Sequence, residues 1–236
     1  MNKFTIKQNQ YLNKNIQCFC NYYNNSTSPD KKDNILNRLK NDTNCYNEID
    51  LVKDFIDVTN IVKEDLINVI NIVNFSNPVI CTMPYLKSES SYSQSQLMFK
   101  KAISCISNNI NVVNGTNYIV RIKNVTFNNN FNKANLTLYK DIAKSTCEFN
   151  KSEIKSKNII LVSDFYIEGE NIVEDCIQEL FNLGAKNVIL YAIKVVFNKS
   201  ININLPLVNV KPSLSPKQKE SMENDNYLYN DKQLFL

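Results

Sequence analysis

Short apolar runs along this chain alternate with longer segments in which apolar residues recur every three or four positions. Residues 78–83, 159–162 and 188–193 are apolar runs of strand length, which is typical of buried strands. Segments 96–107 and 171–183 have the helical period. Strands that alternate with helices form βαβ units, so the pattern predicts an α/β fold with a parallel sheet flanked by helices. The expected inward face of the first of these helices comprises Leu97, Phe99, Ala102, Ile103 and Ile106.

Weaker patterns predict the remaining elements. They are strands at 4–6, 17–23 and 118–122, helices at 33–40, 49–58 and 61–73, and polar loops at 87–94 and 127–133. We expect three parts: a small N-terminal region of strands and helices at 1–75, which would also supply a hood, the α/β core at 76–198, and a tail at 199–236. The tail is polar and contains prolines, and we expect it to be weakly ordered.

Composition limits the possible functions. The 236 residues are 43% hydrophobic, which is enough for one core, and the net charge of +4 with scattered lysines does not indicate nucleic-acid binding. The sequence has neither a long apolar segment nor the apolar core of a signal peptide. We therefore expect a cytoplasmic protein with no membrane partner and with reduced cysteines. The chain contains no histidine, which argues against Ser-His-Asp chemistry and against a histidine-activated cysteine.

The predicted loop at 163–171, which leads into the helix at 171–183, carries the candidate chemistry, because parallel sheets bind ligands at the carboxyl ends of their strands. Asp164 follows an apolar strand directly, and its carboxylate either binds ribose hydroxyls or a nearby Mg²⁺, or caps the turn. Gly169 either lets backbone N–H groups converge on an anion or serves a tight turn. Asn171 is the expected N-cap of the helix, and Gly184 the expected C-cap glycine.

These residues together resemble the phosphoribosyl pyrophosphate motif of the type I phosphoribosyltransferases. That motif is an apolar strand, two acids, a short bridge, a phosphate loop, a helix, and Gly-Ala-x-x-Val before another strand. The chain has ILVSDFYIEGEN at 160–171 and GAKNV at 184–188. Upstream, VICTMP at 79–84, SSYSQ at 90–94 and RIKNVT at 121–126 are similar to the competence-associated, ComF-like branch of the family.

The resemblance implies a type I phosphoribosyltransferase-like fold that binds phosphoribosyl pyrophosphate or a related nucleotide ligand. The positions it assigns to the ligand are Ser163, Asp164, Glu168, Gly169, Glu170, Asn171, Lys87 and Arg121. Asp164 would be the catalytic acid at the ribose, the loop after it would hold the 5′-phosphate, and Arg121 or Lys123 would face the pyrophosphate. Mg²⁺ would be present only with the bound diphosphate. The family also implies a homodimer as one possibility.

The sequence departs from the family motif at three positions. Ser163 replaces the first of the two acids, which weakens the expected grip on the ribose hydroxyls. Glu168 and Glu170 replace small or hydroxylic residues of the phosphate loop. A carboxylate a few ångströms from a phosphate costs on the order of several kcal/mol at an effective dielectric constant near 20.

Three hypotheses remain open from the sequence. The chain is a phosphoribosyltransferase-like protein that binds a phosphoribosyl ligand and, if active, transfers the phosphoribosyl group with release of pyrophosphate. Alternatively, it is a catalytically degenerate binding or interaction module, with a protein partner and a role in regulation or in competence-like DNA uptake. As a third hypothesis, it is an unrelated α/β regulatory domain.

Cys18, Cys20 and Cys45 invite comparison with a zinc site, because the ComF-like branch often carries an N-terminal zinc ribbon. Structural zinc sites use paired cysteines two to four residues apart and four ligands in all. Here the first spacing is too short, a second pair is missing, and histidine is absent. We therefore expect ordinary thiols at these positions and no metal bound by protein side chains alone.

Overall fold

The computed structural model of this protein describes residues 1–23, 48–125 and 140–197. Some of the sequence predictions lie outside these described residues. They concern the helix at 33–40, Cys45, Thr126 of the RIKNVT segment, the loop at 127–133 and the tail at 199–236.

A six-stranded sheet forms the centre of the described part of the chain. Its strands are β1 Asn2–Ile6, β2 Ile16–Tyr23, β3 Pro78–Thr82, β4 Val113–Asn114, β7 Asn158–Ile167 and β8 Asn187–Val196. The spatial order is β1-β2-β8-β7-β3-β4, with β1 antiparallel to β2 and all other neighbours parallel. The predicted α/β fold with a mostly parallel sheet is confirmed. The N-terminal strands β1 and β2 extend the same sheet.

Helices cover both faces of this sheet. The helices are α1 Glu48–Val73, α2 Gln94–Asn109, α3 Ile142–Thr146, α4 Lys151–Ile154 and α5 Ile172–Asn182. The core on one face is formed with α1 and α2, and the core on the other face with α3, α4 and α5. A two-stranded antiparallel sheet of β5 Ile119–Arg121 and β6 Cys147–Phe149 belongs to the second face.

Helix α1 is one continuous helix, where the sequence predicted two at 49–58 and 61–73. Its inward stripe of Val58, Val62 and Leu66 has a regular spacing of four residues across the predicted break, and all three side chains are almost fully buried. Because neither glycine nor proline interrupts this stretch, nothing in the sequence ends the helix there.

Two smaller predictions change in the structure. Leu97, predicted to face inward from α2, is 47% exposed, because the buried face of α2 is centred on Phe99 and Ile103 instead. The strand predicted at 118–122 exists as β5, but it pairs only with β6 in a separate two-stranded sheet.

The end of β7 differs most from the prediction, which placed a loop at 163–171. The strand instead continues to Ile167, and its parallel pairing with β8 extends from Ser163 to the end of the strand. The side chains of residues 165–167 favour a strand, and those of Phe165 and Tyr166 pack with the two cores. Only the turn at 168–171 separates β7 from α5.

The alternation of side chains in β7 shifts at Ser163 and Asp164. Val162 and Phe165 pack with the same core although they are three residues apart, whereas residues on one face of a regular strand are an even number apart. The Ser163 hydroxyl donates to the Phe165 carbonyl at 2.6 Å, and the Asp164 carboxylate accepts from the Phe165 N–H at 2.8 Å. Like a bulge, this local irregularity re-aims the side chains that follow it.

Candidate functional site

β3 ends at Thr82, which pairs with Val162, and β7 continues beyond that pair to Ile167. The loop at 83–93 and the turn at 168–171 therefore both lie beyond the carboxyl end of β3, at the same edge of the sheet. We call this edge the rim. Seven of the eight predicted ligand residues belong to the end of β7, the turn or the loop, and Arg121 is at the end of β5.

The loop after β3 is folded on itself. The Tyr85 N–H donates to the Tyr92 hydroxyl at 3.0 Å, and the two rings meet edge to face with centroids 5.3 Å apart. Ser93 begins α2 with a capping box that it forms with Gln96. Lys87 lies in this loop and is exposed to solvent. The loop therefore has internal support and presents a lysine at its surface.

Asp164 lies beside Tyr85 at the rim. Burial raises the pKa of Tyr85 well above its usual value, and the charge of Asp164 raises it further. Asp164 also accepts from the Phe165 N–H, as described above. The predicted catalytic carboxylate thus already interacts with protein groups.

Arg121 supports the loop from behind. Its side chain is only 1% exposed. Its Nε donates to the carbonyl oxygen of Tyr85, and its Nη1 donates to Oγ1 of Thr146 at the end of α3. Its Nη2 has no hydrogen-bond partner among the described residues. The structure therefore connects Arg121 to Asp164 through Tyr85, as part of the protein interior and without an opening to solvent.

The turn at 168–171 uses several of its own polar groups. The Glu168 N–H donates to the Val196 carbonyl at 3.0 Å, and the Glu170 N–H donates to the Ile167 carbonyl at 3.3 Å. Two backbone donors that could bind a phosphate are therefore already engaged. Gly169 has a φ of 91°, a conformation that favours glycine, in agreement with the tight-turn interpretation.

Asn171 occupies the N-cap position of α5, as predicted, but it does not cap the helix with its side chain. Its backbone is left-handed with a φ of 57°, and its amide donates to the Gly169 carbonyl at 3.0 Å. A capping side chain would instead accept a hydrogen bond from the first turn of the helix.

The sequence did not single out Glu174 as part of this site, although it lies in the first turn of α5. Glu174 is 2% exposed, and its Oε1 accepts from the Tyr166 hydroxyl at 2.8 Å. Burial raises the pKa of Glu174, and the charges of Glu168 and Glu170 add to the rise. An acid in the first turn of a helix suits the helix dipole, so the residue type alone does not indicate a buried position. Its place next to Val173, within the apolar stripe of α5, was the available signal that it points inward.

Open space is distributed unevenly over the described residues. At the rim, a cavity of about 10 Å³ lies among Thr82, Tyr85, Tyr92 and their neighbours, which is about the size that one water needs. A cavity of about 270 Å³ lies elsewhere, between the β1–β2 loop, α3 and α5.

Comparison with protein-family models and with curated proteins finds no match to this chain. The remaining observations are structural. None of the helices at residues 48–125 and 140–197 is long and apolar enough to cross a membrane. Within the described ranges, no group of three or more His, Cys, Asp or Glu side chains could hold a metal ion. Cys18 and Cys20 are buried thiols of β2.

Proposed function

We propose that this chain is a phosphoribosyltransferase-like interaction module in which the phosphate-binding turn is closed, so that it acts by binding a protein partner. The observation that most directly supports this proposal is the structure at the end of β7. Strand pairing continues to Ile167, and the turn that follows bears Glu168 and Glu170 next to the buried Glu174.

Support for a relation to the phosphoribosyltransferases comes from the arrangement of the matched segments. ILVSDFYIEGEN ends at the rim, VICTMP forms β3 and leads to the same rim, and Arg121 of the third segment holds the β3 loop from behind. Segments that are far apart in the sequence are therefore neighbours in space. The family motif would require this proximity, because all three contact one ligand.

Support for a closed phosphate site comes from electrostatics. A phosphate in the turn would lie near the carboxylates of Glu168 and Glu170, and each such repulsion costs on the order of several kcal/mol before screening. The N–H groups of the same two residues donate to protein carbonyls and provide no compensation. A thousandfold loss of affinity corresponds to only about 4 kcal/mol, so these two effects are sufficient to abolish useful binding.

The test is a calorimetric titration with phosphoribosyl pyrophosphate and Mg²⁺. We expect no binding by the parent protein and measurable binding by Glu168→Thr combined with Glu170→Thr. Glu148→Thr changes an exposed acid on β6 and is the matched control, which should not bind phosphoribosyl pyrophosphate. Binding by the parent that is lost in Asp164→Asn would overturn the proposal in favour of a working ligand site.

A second candidate function is phosphoribosyl transfer itself, and the position of Asp164 at the rim beside Tyr85 favours it. Asp164 would then bind the ribose while pyrophosphate is displaced at the anomeric carbon. Among the described residues there is no set of three acidic, cysteine or histidine side chains for a metal. Mg²⁺ would consequently arrive with the diphosphate of the ligand. Pyrophosphate release in the presence of a nucleobase, abolished by Asp164→Asn, would support this candidate.

A further inference from the structure

A cavity of about 270 Å³ lies between three elements of the described part of the chain. The β1–β2 loop contributes residues 9–13, α3 and the residues that precede it contribute 140–144, and α5 contributes positions along its outer side. None of these residues belongs to the rim or to a motif that the sequence suggested. We call this space the α3–α5 cavity.

Opposite charges line two walls of the α3–α5 cavity. Lys140 and Lys144 stand on the α3 side together with one acid, Asp141. Glu179 stands on the α5 side, and its Oε2 accepts from Asn182 Nδ2 at 3.0 Å. Neither lysine forms an ion pair or hydrogen bond with another described residue. Both ammonium groups and one carboxylate oxygen of Glu179 are therefore available to something placed between the walls.

The α3 wall is fixed in position from within the protein. The Asp175 carboxylate, 6% exposed, accepts from the N–H groups of Asp141 and Ala143, each at 2.7 Å. The other end of α3 is held because Thr146 accepts from Arg121. The α5 wall is connected to the third side, because the Asn13 N–H donates to Gln178 Oε1 at 2.9 Å. The cavity thus has three walls that are bonded to other parts of the fold.

We propose that the α3–α5 cavity binds a small zwitterionic molecule of the α-amino acid class. Its carboxylate would pair with Lys140 and Lys144, and its ammonium group would pair with Glu179. The size supports this class, because cavities for drug-sized ligands start at about 300 Å³. The amides of the β1–β2 loop and of α5 provide further polar contacts of both kinds.

The test begins with calorimetric titration of the full chain with each of the common L-amino acids. At least one should bind with a Kd below about 1 mM. Lys144→Gln and Glu179→Gln should each weaken that binding by about tenfold or more, because each removes a charge-assisted hydrogen bond. Lys186→Gln and Glu148→Gln, exposed positions outside the cavity, are the matched controls and should leave the Kd unchanged.

Two ligand derivatives separate the charges. The N-acetyl form of the best ligand lacks the ammonium group, and its binding should no longer respond to Glu179→Gln. The amide form lacks the carboxylate, and its binding should no longer respond to Lys144→Gln. Saturating ligand should also slow hydrogen exchange at residues 142–146, since it would hold α3 from a third side.

The proposal is overturned if no amino acid binds the parent with a Kd below about 1 mM. It is also overturned if the cavity variants bind as the two control variants do. Neither outcome depends on the rim, because none of the variants touches it, and the phosphoribosyl pyrophosphate titration is a separate measurement.

Discussion

The rim and the α3–α5 cavity differ in what their charged residues do. At the rim, Arg121 and Glu174 are buried and bonded to protein groups, and the cavity beside Tyr85 and Tyr92 has a volume of about 10 Å³. In the α3–α5 cavity, Lys140 and Lys144 are exposed without partners among the described residues, and the volume is about 270 Å³. A sequence motif thus marks a region of the fold, whereas open space and unengaged charges mark where a ligand has room to bind.

The largest expected effect is that of Arg121→Met. This change removes the two hydrogen bonds that the guanidinium donates to the Tyr85 carbonyl and to the Thr146 hydroxyl. Both acceptors then lack this charged donor. Each such bond contributes about 1.5 kcal/mol or more, so we expect the free energy of unfolding to fall by about 3 kcal/mol. Urea denaturation measures this difference.

Lys123→Met is the matched control for Arg121, because it removes an exposed cation two residues away. We expect Lys123→Met to change the free energy of unfolding by no more than about 0.5 kcal/mol. A loss at Arg121 no larger than that of the control would mean that the guanidinium does not support the rim, and the contrast between the two regions would fail.

Gly115→Ala should have the next largest effect. A Cβ at Gly115 would lie 2.6 Å from Val79 Cγ1 and 2.9 Å from Cys81 Sγ, both in the buried strand β3. Overpacking of this kind costs about 1–3 kcal/mol. The reduced stability should appear as a lower midpoint in urea denaturation.

Gly184→Ala is the comparison for Gly115. Among the described residues, its added Cβ has only Lys155 Cγ within 4 Å, at 3.5 Å, but its φ of 89° strains any other residue. We expect about 1 kcal/mol for this conformational effect alone. If Gly184→Ala lowers the free energy of unfolding more than Gly115→Ala does, the close contact of Gly115 with Val79 and Cys81 is not what makes a glycine necessary there.

The sequence predicted the layers of the fold well because each layer depends on local periodicity. Residues 159–162 and 188–193 are strands, and 171–183 contains a helix, since burial on a sheet or helix face repeats at fixed spacing. The predicted end of β7 was wrong because hydrophobic periodicity does not reveal where strand pairing stops. Pairing with β8 decided that, and it is a contact between distant residues.

The candidate site was harder to predict for the same reason. Arg121 and Lys123 are two residues apart in a polar segment, yet only the first is buried, because β5 pairs with β6 and turns that side chain inward. The α3–α5 cavity joins residues from three distant segments, and none of them forms a local pattern. Tertiary packing, which the sequence pattern does not encode locally, creates both features.

Glu174→Gln tests the acidic side of the rim through pH. The fold raises the pKa of Glu174 from its usual value of 4.5, so the fold favours the neutral carboxyl group. This contribution to stability is complete below the unfolded-state pKa and is lost as pH rises through the folded-state pKa. The nearby charges of Glu168 and Glu170 act in the same direction.

Glutamine stays neutral and keeps an oxygen that can accept from the Tyr166 hydroxyl. Relative to the variant, the parent should therefore lose stability on going from about pH 4 to about pH 8, and the variant should gain up to about 1 kcal/mol over it at the higher pH. Thermal unfolding of both proteins across this range measures the difference. Parallel curves would indicate that Glu174 ionises without penalty and that the acids at the rim are better solvated than the structure indicates.

The smallest expected effect is that of Lys144→Ala in the α3–α5 cavity. Lys144 is exposed and has no partner among the described residues, so its removal should change the free energy of unfolding by no more than about 0.5 kcal/mol. Urea denaturation beside Arg121→Met gives the contrast directly. Residues that form a ligand site need not stabilise the fold, because their charges are kept available for the ligand, whereas Arg121 is bonded within the fold.

A loss of more than about 1 kcal/mol in the free energy of unfolding on Lys144→Ala would make the wall of the cavity a structural support, as Arg121 is at the rim. In that case the two regions would differ in volume alone, and the unengaged charges would no longer argue for a ligand.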